Sequence, residues 1–272
     1  MPRFRHALPG AAILALALSA ALPASATVKV TVKIQNLAPA GSVSFAPLRI
    51  GFNSGVFDAF NAGTAATAPI VSIAEGGSGS AWFPAFAAAD SDAVLGSVGG
   101  ALTPGATASA TGFVINPVKN PFFTFASMVL PSNDFFIGND DPREYRLFDN
   151  AGHLLIGSID LLASDIWNAG SEAFDPANAA FVQGGVNALR TPENGVVGFN
   201  FAELSNFDGL TTAAGYVFKS GLQRDTPVYR ITFSTTGVPE PATWTMMLLG
   251  FGSSGWMLRR RRAAQRLAFA MA

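Results

Sequence analysis

The sequence predicts an all-β sandwich with long loops and short helical turns. Three observations carry this. Short apolar runs are separated by Pro, Gly, Asn and Asp clusters; apolar and polar residues alternate strictly near both ends of the central region; and no long amphipathic helical pattern lies between residues 27 and 236. Residues 27–34, TVKVTVKI, alternate with period two, which predicts a half-buried strand with Val28, Val30, Val32 and Ile34 inward. Residues 36–39 end it. Residues 45–52 predict a second strand, its early part held to an edge by Pro47. Residues 58–61 and 70–75 predict short helical turns, the second stopped by Gly76 and Gly77. Further strands are predicted at residues 110–115, 122–130, 145–148 and 154–161, with 228–233 as the closing strand. The Gly- and Ala-rich stretch at residues 62–111 predicts long surface loops. The 23 phenylalanines suit a core formed between facing sheets.

Composition narrows the functional classes. The central region, residues 27–238, carries ten Lys and Arg against seventeen Asp and Glu, a net of −7. An acidic domain with no basic patch is a poor match for a phosphate backbone, which argues against nucleic acid as a partner. Cysteine is absent, which removes disulfide staples, thiolate catalysis and cysteine metal sites together. The domain therefore stands on its hydrophobic core, and roughly 200 residues suffice for that. Only His153 remains outside the N-terminal segment, and a lone histidine reads as a surface or packed residue, since a triad needs a base, an orienter and a nucleophile in contact.

The two ends read as addresses. Arg3, Arg5 and His6 precede an apolar run over residues 11–22, and Ala24-Ser25-Ala26 offers the small-x-small pattern of a cleavage site. Residues 1–26 are thus expected to be a signal peptide removed by signal peptidase after Ala26, with Ala24 at the −3 position; a retained anchor is disfavoured by the short run ending at Pro23. At the other end, Pro239-Glu240-Pro241 precedes an apolar span at residues 242–258 and then Arg259, Arg260, Arg261 and Arg262. Seventeen residues are at the lower limit for spanning hydrocarbon, and the arginines hold their end in the cytoplasm. A plain C-terminal anchor is the simpler reading. The order of the three parts resembles the PEP-CTERM sorting signal of Gram-negative bacteria. That resemblance implies recognition by an exosortase over residues 237–262, transient inner-membrane anchorage, a cytoplasmic tail at 263–272, and delivery to the cell surface or extracellular matrix.

The densest polar clusters lie at residues 131–142, PSNDFFIGNDDP, and 165–172, DIWNAGSE, each following an apolar run. Such loops offer oxygen ligands to a hard cation such as calcium, and they are equally turn formers, since Asx side chains bond the local backbone. Asp140 and Asp141 before Pro142 carry the same ambiguity. Trp167 reads as a packing residue that anchors its loop.

Several blocks taken together resemble the spondin N-terminal domain in its bacterial form. They are residues 34–39, IQNLAP; 51–58, GFNSGVFD; 74–76, AEG; 127–134, SMVLPSND; 136–139, FIGN; 147–149, LFD; and 167–172, WNAGSE. The resemblance runs over about residues 28–175. It implies a C2-like antiparallel β-sandwich spanning residues 27–236, with a calcium ion held by loops at one end through Asp134, Asn168 and Glu172. Asn168 departs from the aspartate usual in that family, and Ser171 from its threonine. An amide oxygen still coordinates calcium, but one negative charge is lost and affinity falls with it. The family context implies a non-enzymatic adhesion module of a surface or biofilm matrix, with exopolysaccharide as a partner. The alternative is a polysaccharide-acting hydrolase using paired carboxylates, or a carbohydrate-binding module.

Overall fold

The computed structural model describes residues 27–237 and, further on, Gly250, Phe251, Gly252, Gly255 and Arg259, which are helical. The expected signal peptide at 1–26, the Pro239-Glu240-Pro241 element, most of the 242–258 span, Arg260, Arg261 and Arg262, and the 263–272 tail lie outside the described residues. Among the described residues no helix is long and apolar enough to cross a membrane.

The elements run β1 (Val28–Asn36), β2 (Ser44–Phe45), β3 (Leu48–Asn53), α1 (Ala68–Gly76), α2 (Trp82–Ala89), β4 (Val94–Val98), β5 (Thr107–Ile115), β6 (Phe122–Leu130), β7 (Phe135–Gly138), β8 (Ser158–Leu162), β9 (Trp167–Asn168), β10 (Gly198–Phe199) and β11 (Pro227–Gly237). Short 3-10 turns lie at Ala163–Asp165 and Phe201–Phe207. Two antiparallel sheets result: β5-β1-β11-β8, and β10-β9-β7-β6-β3-β4 with β2 also on β6. The all-β sandwich predicted from the sequence is the fold.

The alternation of β1 does what period two requires. Val30, Val32 and Ile34 are fully buried, and Ile231 and Phe233 of β11 face inward beside them. They meet Ile50, Phe52, Phe123 and Phe125 of the larger sheet in one continuous core. Phe123 packs edge-on against Phe233 at 4.8 Å between ring centroids, and Phe45 against Tyr229 at 4.6 Å, so aromatic pairs tie the sheets together.

The larger sheet is covered on its other face as well. Ile70 and Ile73 of α1, Trp82 and Phe86 of α2, and Phe57 and Phe60 pack over Ala126, Phe136 and Trp167. Burial on both faces explains why β6 reads as a continuous apolar run without alternation. α1 is started by the Thr67 hydroxyl and Pro69 in its first turn, and it ends at Gly77, whose left-handed φ of 59° lets its N–H reach the Ile73 carbonyl.

Four local expectations are corrected. Residues 62–111 hold α1, α2, β4 and the start of β5 in place of long loops, because Ile70, Ile73, Trp82 and Phe86 within the stretch bury against the sheet. Residues 58–61 form no helix; Asn61 donates to the Asp58 carboxylate in a local turn. Residues 145–148 make only isolated bridges, Phe122 with Arg146 and Phe148 with Leu154. The strand expected over 154–161 is confined to β8, beginning after Gly157.

The first and last strands pair along their whole length, from Val28 opposite Gly237 to Asn36 opposite Tyr229. Among the described residues, both sheets and their buried clusters lie within residues 27–237.

Candidate functional site

The site grows from the turn after β6. Ser132 accepts the Phe135 N–H at 3.2 Å and donates to the Val129 carbonyl, which holds the loop tight before β7. Asn133 and Asp134 then point into the molecule, 2% and 1% exposed. β7 pairs with β9, placing Phe135 opposite Asn168 and Phe136 opposite Trp167. This pairing brings the two polar clusters, separate in the sequence, to one end of the larger sheet.

Asp134 accepts two backbone N–H groups on Oδ2, from Ser171 at 2.8 Å and Glu172 at 3.1 Å, and its carbonyl accepts from Ala169 at 3.1 Å. Asn133 donates Nδ2 to Oε1 of Glu172 at 2.9 Å, and its Oδ1 accepts the Asp175 N–H at 3.1 Å. Glu172 is 3% exposed, and its Oε2, like the buried Ser171 Oγ, has no hydrogen-bond partner. Asn168 accepts the Gly170 N–H on Oδ1 at 2.6 Å, a local Asx turn.

Backbone contacts fix this loop from the other side. Gly195 donates to the Gly170 carbonyl at 2.8 Å and Glu193 to that of Ser171 at 2.9 Å. Gly170 has φ +63°, and a Cβ there would lie 2.7 Å from the Val196 nitrogen and 2.8 Å from its carbonyl oxygen, so only glycine fits.

The electrostatics follow from burial. Desolvation pushes the Asp134 carboxyl up to about 6, only partly offset by the N–H groups of Glu172 and Ser171, with Glu193 and Glu75 raising it further. Desolvation also raises Glu172, and Glu75 and Asp134 add to the effect. The nearest countercharge is Arg190, which pairs with Glu75 at 2.5 Å. A fully ionised Asp134 and Glu172 are therefore short of positive charge.

The structure brings Asp134 and Glu172 together through the main chain, and places Asn168 opposite Phe135. Asp134 and Glu172 are adjacent buried acids, and the Oε2 of Glu172 has no hydrogen-bond partner. Asn168 lies on the neighbouring strand with its amide oxygen already engaged. Asp140 and Asp141 lie beyond the far end of β7 from Asp134. There Asp141 accepts the Arg143 N–H and Asp140 that of Ala62, as turn residues do. Trp167 is 7% exposed, packs on Phe60, and donates its indole N–H to the Gly138 carbonyl at 3.0 Å. Among the described residues no group of three or more His, Cys, Asp or Glu could hold a metal ion.

Sequence reasoning missed four participants. Asn133 sits inside a quoted motif, yet only the structure shows it clamping Glu172. Glu75 and Arg190 are 115 positions apart, and no spacing signal joins them. Phe199 comes from an unremarkable segment and stacks on Trp167 at 3.7 Å.

Residues 237–262 match the family model of the PEP-CTERM protein-sorting motif. The match carries the three-part C-terminal pattern and marks the chain as exported and handled by an exosortase. A search of curated proteins finds no match to the chain.

Proposed function

We propose that the folded domain is a non-enzymatic, spondin-like adhesion module of the cell surface or extracellular matrix, with calcium at the Asp134–Glu172 end of its larger sheet. The observation that carries the calcium reading is the buried Glu172 Oε2 without a hydrogen-bond partner, beside an Asp134 whose carboxyl burial holds near 6. A buried carboxylate oxygen with no donor costs on the order of 1–3 kcal/mol, and a cation removes that cost. Calcium would be held by Asp134 and Glu172, with Asn168 and Ser171 as neutral oxygen donors, and would supply the positive charge these acids lack. The spondin-like blocks around Asp134 and Glu172 support the same assignment. Asn168 in place of an aspartate favours weak affinity.

Around the cavity beside Trp167, Asp160 is bound by Arg230 through two hydrogen bonds, Asp165 accepts the Leu162 N–H and Asp140 the Ala62 N–H, so each of these carboxylates has a structural partner.

Thermal melting of a protein spanning residues 27–237 tests the calcium reading. Calcium at millimolar concentration raises the midpoint relative to chelator, as binding to the native state requires. Asn168→Asp enlarges the difference by restoring a negative ligand. Equal midpoints in calcium and chelator sink the reading. Release of reducing ends from the producer's own exopolysaccharide would overturn the non-enzymatic assignment.

A further inference from the structure

Phe199 lies on β10, the edge strand of the larger sheet, with its ring nearly parallel to the Trp167 indole, 26° between planes. Trp167 is held by its hydrogen bond to Gly138 and by Phe60, so the ring above it is positioned from beneath. Phe199 is nevertheless 58% exposed. With one face against Trp167, the open surface is the opposite face.

A single exposed phenylalanine is ordinary. This one is the common wall of three adjoining concavities of about 400, 300 and 220 Å³. Of the charged residues that line them, all but Arg224 are acidic. Glu193, Glu203 and Glu144 face them with no ion pair among the described residues, against one lining cation, Arg224. Asn200, shared by two of the concavities, adds an amide that both donates and accepts.

An aromatic face attracts positively polarised C–H groups and cations. Surrounding carboxylates select for positive charge, and an amide pairs with hydroxyls. A hexosamine ring with a free ammonium meets all three demands at once, whereas a uronic acid is repelled. Three concavities around one ring suit successive units of a chain.

We infer that Phe199 is the stacking platform of a binding site for a polysaccharide bearing free amino groups, of glucosamine type. The inference rests on the reading of the chain as an exported matrix protein, because such a polymer is met outside the cell; it does not require the calcium ion.

The test is calorimetric titration of the protein spanning residues 27–237 with a fully deacetylated glucosamine hexamer, in calcium and in chelator. The N-acetylated hexamer, a uronate hexamer and hexalysine are titrated in parallel. The deacetylated hexamer binds at least tenfold tighter than each of the others. Phe199→Ala weakens it at least tenfold while the melting midpoint stays near that of the parent, and Glu203→Gln weakens it severalfold. Unchanged binding by Phe199→Ala, or hexalysine binding as tightly as the hexamer, overturns the inference. If Phe199→Ala does not fold, Glu203→Gln and the hexalysine comparison decide. Hexamer binding that persists without any calcium-dependent melting shift sinks the calcium reading alone; a melting shift without hexamer binding sinks the platform alone.

Discussion

The backbone N–H of Glu172 donates to Oδ2 of Asp134 at 3.1 Å, so one buried acid fixes the position of the other through the main chain. Asp134 thereby serves as the acceptor that orders the 171–172 turn, apart from any role as a ligand.

Asp134→Ala is expected to destabilise the domain by roughly 2–4 kcal/mol, since it strands two buried N–H groups. The loss is read from urea midpoints and is present in chelator as well as in calcium. Asp134→Asn keeps an oxygen acceptor and should fold well, yet it removes the calcium-dependent shift. A full calcium shift in Asp134→Asn would count against Asp134 as a ligand.

The pH dependence in chelator has a definite sign. Asp134 titrates near 6 in the native state against an ordinary 3.8. The native state thus holds this proton more tightly than the unfolded chain. Relative to other groups, its contribution is most favourable below about pH 4 and is lost as pH rises through about 6, by about 3 kcal/mol in full. Glu172, raised in the same direction, adds to the trend. Urea midpoints of parent and Asp134→Asn between pH 4 and 7 isolate the effect. The gap in favour of the Asn variant should widen with pH; a constant gap contradicts the assignment.

Gly170→Ala should cost roughly 2–4 kcal/mol, combining a left-handed φ with backbone overlap at Val196. Gly184→Ala is the control. Its φ is +78° with nothing within 4 Å of the added carbon, so it bears the conformational strain alone, about 1 kcal/mol. Equal losses in chemical denaturation would show that the close approach of residues 170 and 196 contributes nothing.

Replacing Pro239, Glu240 and Pro241 with alanine should leave the C-terminal segment attached. Intact mass of the exported protein would then include residues 242–272, and the protein would stay with the inner membrane. The parent protein should lack that mass.

The strands legible in the sequence were those whose environment imposes a pattern. β1 has one face in the core and alternates; β6 is buried on both faces and runs apolar. The Gly77 stop of α1 was legible because a left-handed cap favours one residue type. α2, sequence WFPAFAAA, carries no polar side chain to mark a helical period. β7 is four residues set among Asx turns, and its pairing with β9 depends on residues about thirty positions away. At the site, Asp134 and Glu172 stood in recognisable motifs. The clamp from Asn133, the Glu75–Arg190 pair and the Phe199 ring arise from three-dimensional closure of distant segments, which composition and periodicity do not encode.

The full-length pairing of β1 with β11 sets Val28 beside Gly237. The chain therefore enters and leaves the domain at a single corner. On the proposed export route, with residues 1–26 removed and the C-terminal segment anchoring the precursor, the domain would hang from one point with its N-terminus at the tether. A tag fused at residue 27 would therefore sit beside Gly237, where the sorting motif begins.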